Sequence, residues 1–205
     1  MRLALFLCLA TTTSAHAQDA VQEPFSDTGY LQSCTSDGEM PGCMVVGFGI
    51  RYIAATAGAT DPDLMAQLQA LPPNSRVDIA GDIISLGDIT AEVVLTSVTA
   101  APNAKLDALL AGLQGDWQQA AGQGIQIAGL EWTNIADGQP VDSYLMGLGQ
   151  PCSEGQPQDK PSVALILMGG DPMDGALCYV IDKIDEKSLT LAAVPSGTIT
   201  TLQRP

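Results

Sequence analysis

The segment from Gly115 to Arg204 is broken every few residues by turn signals: Ala121-Gly122, Asp137-Gly138, Gly169-Gly170 and Ser196-Gly197. Between them lie strand-like runs at roughly 116–120, 125–129, 131–136, 141–148, 162–168, 176–183, 187–193 and 198–203. Short strands at regular spacing cannot each bury a face alone, so they imply a sandwich or a closed barrel. In the run at 162–168 Val163, Leu165 and Leu167 alternate with Ala164, Ile166 and Met168, so both faces are apolar. One face should look into a barrel; the other needs a cover, either the helix before it or the first half of the chain.

That helix is expected from Asn103 onward. Asn103 is a good N-cap, and Leu106, Leu109, Leu110 and Leu113 form an i, i+3, i+4, i+7 stripe that Gly112 and Gly115 close. Gly115-Asp116-Trp117 follows on the first strand, and Arg204 comes just after the last. On these residues the second half resembles the calycin group, lipocalins and the smaller lipocalin-like barrels. The resemblance implies that Trp117 packs across the barrel base with Arg204 lying over it, a favourable placement of a guanidinium on an indole face. It covers about residues 106–205 and carries over no other residue. The size, a bond between Cys152 and Cys178 and export look more like the small barrel inhibitors of secreted metalloproteases, which act through an N-terminal tail. Here another unit occupies that end.

The first half reads differently. Residues 18–30 are polar and aperiodic and are expected to form a flexible tail. Residues 31–43 carry Ser36-Asp37-Gly38 and Pro41-Gly42 and are expected to be a loop. From Met44 to Ala54 the alternation of Met44, Val46, Phe48, Ile50 and Tyr52 predicts one strand. Gly47-Phe48-Gly49 is not a dinucleotide loop, because Tyr52 stands where a third glycine belongs. Asp61-Pro62 opens a helix with Leu64, Met65, Leu68 and Leu71 on one face, and Pro72-Pro73 stops it. Arg76 to Val98 predicts strands, with Gly81-Asp82-Ile83 and Gly87-Asp88-Ile89 as two turns of a meander. Residues 31–100 therefore form a small sheet with one helix, with an OB-like barrel as the closed form. The fold class is mainly β: a small sheet-plus-helix domain at 31–100, a linker near 99–103, and a lipocalin-like antiparallel β-barrel at 103–205.

Residues 1–17 read as a secretory signal peptide. Arg2 supplies the charged start, Leu3–Ala10 the apolar run, and Ala15-His16-Ala17 a small-x-small cleavage site. No later run suits a membrane span, so a secreted or periplasmic location is expected. Without Arg2, seven Lys and Arg face 23 Asp and Glu. Such a surface repels nucleic acid and anionic lipid and would draw in a basic partner. Cys34, Cys43, Cys152 and Cys178 then remain, and an even count in an oxidising compartment predicts two disulfides. Three pairings exist; Cys34–Cys43 with Cys152–Cys178 keeps each bond within one half and is the expected one.

The only histidine, His16, leaves with the signal. A serine or cysteine paired with histidine, and histidine-ligated zinc, are thereby excluded. Asp171 and Asp174 beside Gly169-Gly170 lack the alternating oxygens of a calcium loop. Asp182, Asp185 and Glu186 interleave with Lys183 and Lys187, as in a solvated turn. No catalytic residue, metal or cofactor is expected. Trp132 and Tyr144 are the aromatic candidates for a ligand surface, weighed against plain core packing, and Glu131 shows no partner. The functional expectation is a non-catalytic binding module for a basic periplasmic protein or a small apolar ligand, working through the barrel or the seam between the halves. The alternatives are a carboxylate-dependent cell-envelope hydrolase, a protease inhibitor of the small-barrel type, or an envelope assembly factor.

Overall fold

The structure is a computed structural model that describes residues 23–36, 41–55, 57–120, 122–149, 160–168 and 176–205. Its order is β1 (Glu23–Thr35), β2 (Gly42–Val46), β3 (Arg51–Ala55), α1 (Pro62–Gln69), β4 (Arg76–Leu86), β5 (Thr90–Ala100), α2 (Ala104–Leu113), β6 (Gly115–Ala120), β7 (Gln123–Ala128), β8 (Glu131–Ala136), β9 (Gln139–Leu148), β10 (Ser162–Leu167), β11 (Leu177–Ile184), β12 (Ser188–Val194) and β13 (Ile199–Gln203). These strands close into two barrels, β1-β2-β3-β5-β4 and β6 through β13.

In the first barrel β3 and β5 pair in parallel while all other neighbours are antiparallel. That order, with a helix between β3 and β4, is the arrangement of an OB-type barrel. The helix starts where the sequence places it: the Asp61 side chain accepts from Asp63 N at 2.8 Å, and proline occupies the first turn. Met65 and Leu68 are buried beneath it in a core with Leu31, Val45, Val77 and Val93.

Four expectations for this half change. Residues 18–30 are not all tail: from Glu23 the chain is β1, and Glu23 to Tyr30 pair residue by residue with β4. Asp27 shares the inward parity of Phe25 and Leu31 and accepts from Tyr52, while Tyr30 packs with the second barrel, so polar and apolar residues do not alternate cleanly along the strand. Residues 31–43 are not one loop, because Cys34 on β1 stands opposite Cys43 on β2 and the two form a disulfide. Met44–Ala54 is not one strand. It folds at Gly47–Ile50 into a hairpin, with Gly49 at φ 74° and Gly47 N donating to Ile50 O. The turn breaks the parity: Val45 and Tyr52 face the barrel core, whereas Val46 packs with the second barrel. Gly81 is no turn either but lies inside β4, where a β-carbon would strike Val94 O. Only Gly87–Ile89 makes the hairpin, closed by Gly87 N to Thr90 O. Glycine thus serves close strand approach at one site and a turn at the other.

The second barrel is an up-and-down meander of eight antiparallel strands, closed by β13 against β6. This is compatible with a calycin-like barrel. Alternation puts Trp117, Ile127, Met146, Leu165 and Leu191 into one buried cluster, and α2 adds Leu109, Leu110 and Leu113 to it. The Asn103 side chain caps α2 by accepting from Leu106 N. Tyr30 and Val46 of the first barrel belong to the same cluster, so the two halves meet through shared apolar packing. Among the described residues no helix is long and apolar enough to cross a membrane.

Candidate functional site: the seam between the barrels

The outer face of the first barrel supplies one side of the seam. Tyr30 and Gln32 on β1, Met44 and Val46 on β2, Phe48 in the β2–β3 turn and Arg51 on β3 all turn toward the second barrel or the space beside it. In OB-type barrels the face of strands 2 and 3 is a common ligand surface. Here part of that face is occupied by the chain's own second barrel.

Polar contacts fix the seam at two places. The Gln32 amide donates to Ala128 O at 2.9 Å and accepts from Leu130 N at 3.2 Å. Gln114 holds the same β7–β8 turn from α2, accepting from Gly129 N at 2.7 Å and donating to Gly129 O at 3.0 Å. Gly129 has φ 60°, and a β-carbon there would collide with the Gln32 amide. At the second place Arg51 donates to Glu131 at 2.5 Å and to the Met168 sulfur at 2.8 Å. Both charged side chains are partly exposed, so the pair contributes well under the energy of a buried one, about 0–1 kcal/mol.

Beside these contacts lies a cavity of about 410 Å³ bounded by both barrels. Val46, Leu130, Met146 and Leu148 form its apolar wall; Asp27, Thr28, Tyr30 and Arg76 form its polar side. The Phe48 ring, 45% exposed, lies so close over Gly147 that no β-carbon would fit there. The Tyr30 hydroxyl is buried and has no hydrogen-bond partner among the described residues, in a side chain only 6% exposed. Burial first, then the charge of Asp107, push its phenol up; Arg76 pulls it the other way. Asp107 is engaged on one side only: Oδ2 accepts from Asn103 N, while Oδ1 is buried without a partner. Arg76 donates to Ala101 O, and Asp27 accepts from Tyr52 and from Thr28 N.

The residues singled out in the sequence lie elsewhere. Arg204 sits over Trp117, with its guanidinium carbon 4.1 Å from the ring centroid. It donates to Gln114 O and Gly112 O, and Trp117 Nε1 donates to Leu113 O, so both side chains satisfy carbonyls at the end of α2. Trp132 and Tyr144 are buried on the second barrel at 3% and 7% exposure. Trp132 stacks on Tyr179 at 6.2 Å and donates to Asn134. Burial, then Asp142 and Tyr179, push the Tyr144 phenol up, and a hydrogen bond with Asn134 pulls it the other way. Glu131 pairs with Arg51 across the seam. Asp182 pairs with Lys160, and Asp185 is fully exposed in the β11–β12 turn. Cys178 is disulfide-bonded, and its expected partner Cys152 lies outside the described residues, as do Asp171 and Asp174.

The sequence reading put Tyr30 in the flexible tail and Phe48 on one face of a single strand with Tyr52, so these seam residues were missed. The available signal was Gly47-Phe48-Gly49 beside Arg51, an aromatic and a cation on a glycine-rich turn. No protein family, curated protein or solved structure matches this chain.

Proposed function

We propose that this chain is an exported, non-catalytic binding protein that holds a small apolar ligand in the seam between its two barrels. The observation that carries the reading is the cavity of about 410 Å³, walled by Val46, Leu130, Met146 and Leu148, with Asp27, Thr28, Tyr30 and Arg76 on its polar side. Ligand cavities typically span roughly 300–1,000 Å³, favour interfaces between units, and combine apolar walls with a few polar groups. The calycin-like closure of the second barrel and the acidic charge fit a carrier or binding module in the cell envelope.

The test is titration of the mature chain with the neutral fluorophore N-phenyl-1-naphthylamine. Saturable one-to-one binding is expected. Thr28→Trp places an indole at the half-buried rim and should weaken binding about tenfold or more while leaving the thermal midpoint close to the parent value. Equal binding by that variant moves the site out of the seam, and the absence of saturable binding ends the reading.

A further inference from the structure

We infer that the first barrel carries a second binding site, a groove across β3 and β5 that docks an extended segment of a partner protein. The segment it fits presents an apolar side chain and, two residues on, a lysine or arginine. The groove and the seam cavity share no lining residue, so each site stands or falls by itself.

The groove continues the inter-barrel contact onto uncovered surface. On the outer face of β3 Arg51 pairs with Glu131 of the second barrel, and Ile53 and Ala55 follow on the same face. β3 pairs with β5 only from Arg51 to Ile53, with Ile53 opposite Glu92, so the pairing stops two residues before β3 ends. There the surface opens into a groove of about 430 Å³. Ile53 is its largest apolar side chain; it is 8% exposed and belongs to neither barrel core. Ala55, Ala57, Ser85 and Gly87 line the groove with it, and their short side chains leave the space open.

Charge sets the chemistry of the occupant. Glu92 is the single charged residue lining the groove; it is exposed and forms no ion pair among the described residues. The lining residues include no aromatic ring on which a base would stack, and the chain's formal net charge of −15 opposes a phosphate backbone or an anionic lipid. A basic side chain meets Glu92 while an apolar one covers Ile53. Those two residues face each other on neighbouring strands, which run about 5 Å apart. In an extended segment, side chains two residues apart point the same way at a spacing of about 7 Å. The long stem of a lysine or arginine spans the difference and adds apolar contact of its own.

The experiment is backbone-amide NMR titration of the mature chain with the blocked hexapeptide acetyl-Thr-Leu-Thr-Lys-Thr-Thr-amide. Saturable shifts are expected at Ile53, Ala55 and Thr90, and none at Tyr30 or Leu130. Glutamate in place of the peptide's lysine should weaken binding about fivefold, and alanine in place of its leucine about tenfold. Glu92→Gln should erase the preference for lysine over glutamate. Asp116→Asn, an exposed change on β6, should leave that preference intact; if it lowers the preference equally, the effect is one of overall charge and the assignment is overturned. Ser85→Trp, at an exposed position, fills the groove and should abolish the peptide shifts while leaving the thermal midpoint and N-phenyl-1-naphthylamine binding at parent values. Peptide binding that survives Ser85→Trp, or the absence of saturable shifts in the parent, overturns the inference and leaves the seam site standing. Loss of fluorophore binding in Ser85→Trp would make the groove a small-molecule site, and loss of a dimer seen by sedimentation would make its occupant a second copy; either result overturns the peptide assignment.

Discussion

The guanidinium of Arg204 lies over the indole of Trp117 at 4.1 Å and donates to Gln114 O and Gly112 O at 2.8 Å each. One side chain thus caps the end of α2 and covers the Trp117 ring. Arg204→Ala should lower unfolding free energy by about 2–3 kcal/mol, from a cation–π contact and two charge-assisted bonds. Arg204→Lys should recover little, since an ammonium cannot form that planar fork over the ring. Urea denaturation followed by tryptophan fluorescence gives both values.

Phe48 and Gly147 meet too closely to admit a methyl group. Gly147→Ala should push the Phe48 ring off the second barrel, at a cost of about 1–3 kcal/mol. Phe48→Ala combined with Gly147→Ala should cost less than the sum of the two single changes. A double-mutant cycle measures the coupling, and strict additivity would mean the ring is not held there.

Joining Cys34 to Cys43 closes a short loop between β1 and β2. Replacing both with serine should destabilise the chain by about 2–3 kcal/mol, chiefly through the freed unfolded state. Comparing thermal melts of the double-serine variant with the parent, both under non-reducing conditions, isolates this bond from the one at Cys178.

Burial first, then a hydrogen bond to Asp27 and its charge, push the Tyr52 phenol well above its ordinary range. A raised folded pKa means stability is fully present below the unfolded tyrosine value near ~10 and is lost as pH rises through the folded value. The parent should therefore weaken steeply in alkali. Tyr52→Phe should be less stable at pH 7 by about 1–2 kcal/mol and should show a shallower alkaline loss. Denaturation midpoints from pH 8 to 11 are the measurement.

Asp185 is displaced in the opposite direction. Lys183 first, then Lys187 N, Ser188 N and the Ser188 hydroxyl, hold its carboxyl well below the usual carboxylate range. The depressed value means its contribution is present above the unfolded carboxylate pKa and fades as pH falls through the folded one. NMR titration of the Asp185 carboxyl should show it ionised at a pH where Asp185-containing unfolded peptide is protonated.

What the amino-acid order determined was the local punctuation. Asn103 and Asp61 cap helices through their own side chains, and Gly122, Gly129, Gly138 and Gly197 adopt positive φ in turns between strands of the second barrel, a conformation that favours glycine. Those signals act within a few residues, so the eight-strand half was legible nearly strand by strand. The first half was not. β1 pairs with β4 some fifty residues away, and Asp27 on its inner side and Tyr30 on its outer side break the alternation. Closure of both barrels and the meeting of Tyr30, Leu106 and Leu130 in one cavity were decided only by tertiary structure, because each depends on which outer faces pack together across separations of about 70 to 100 residues. Periodicity records which side of a strand is apolar, but not which other surface will cover it.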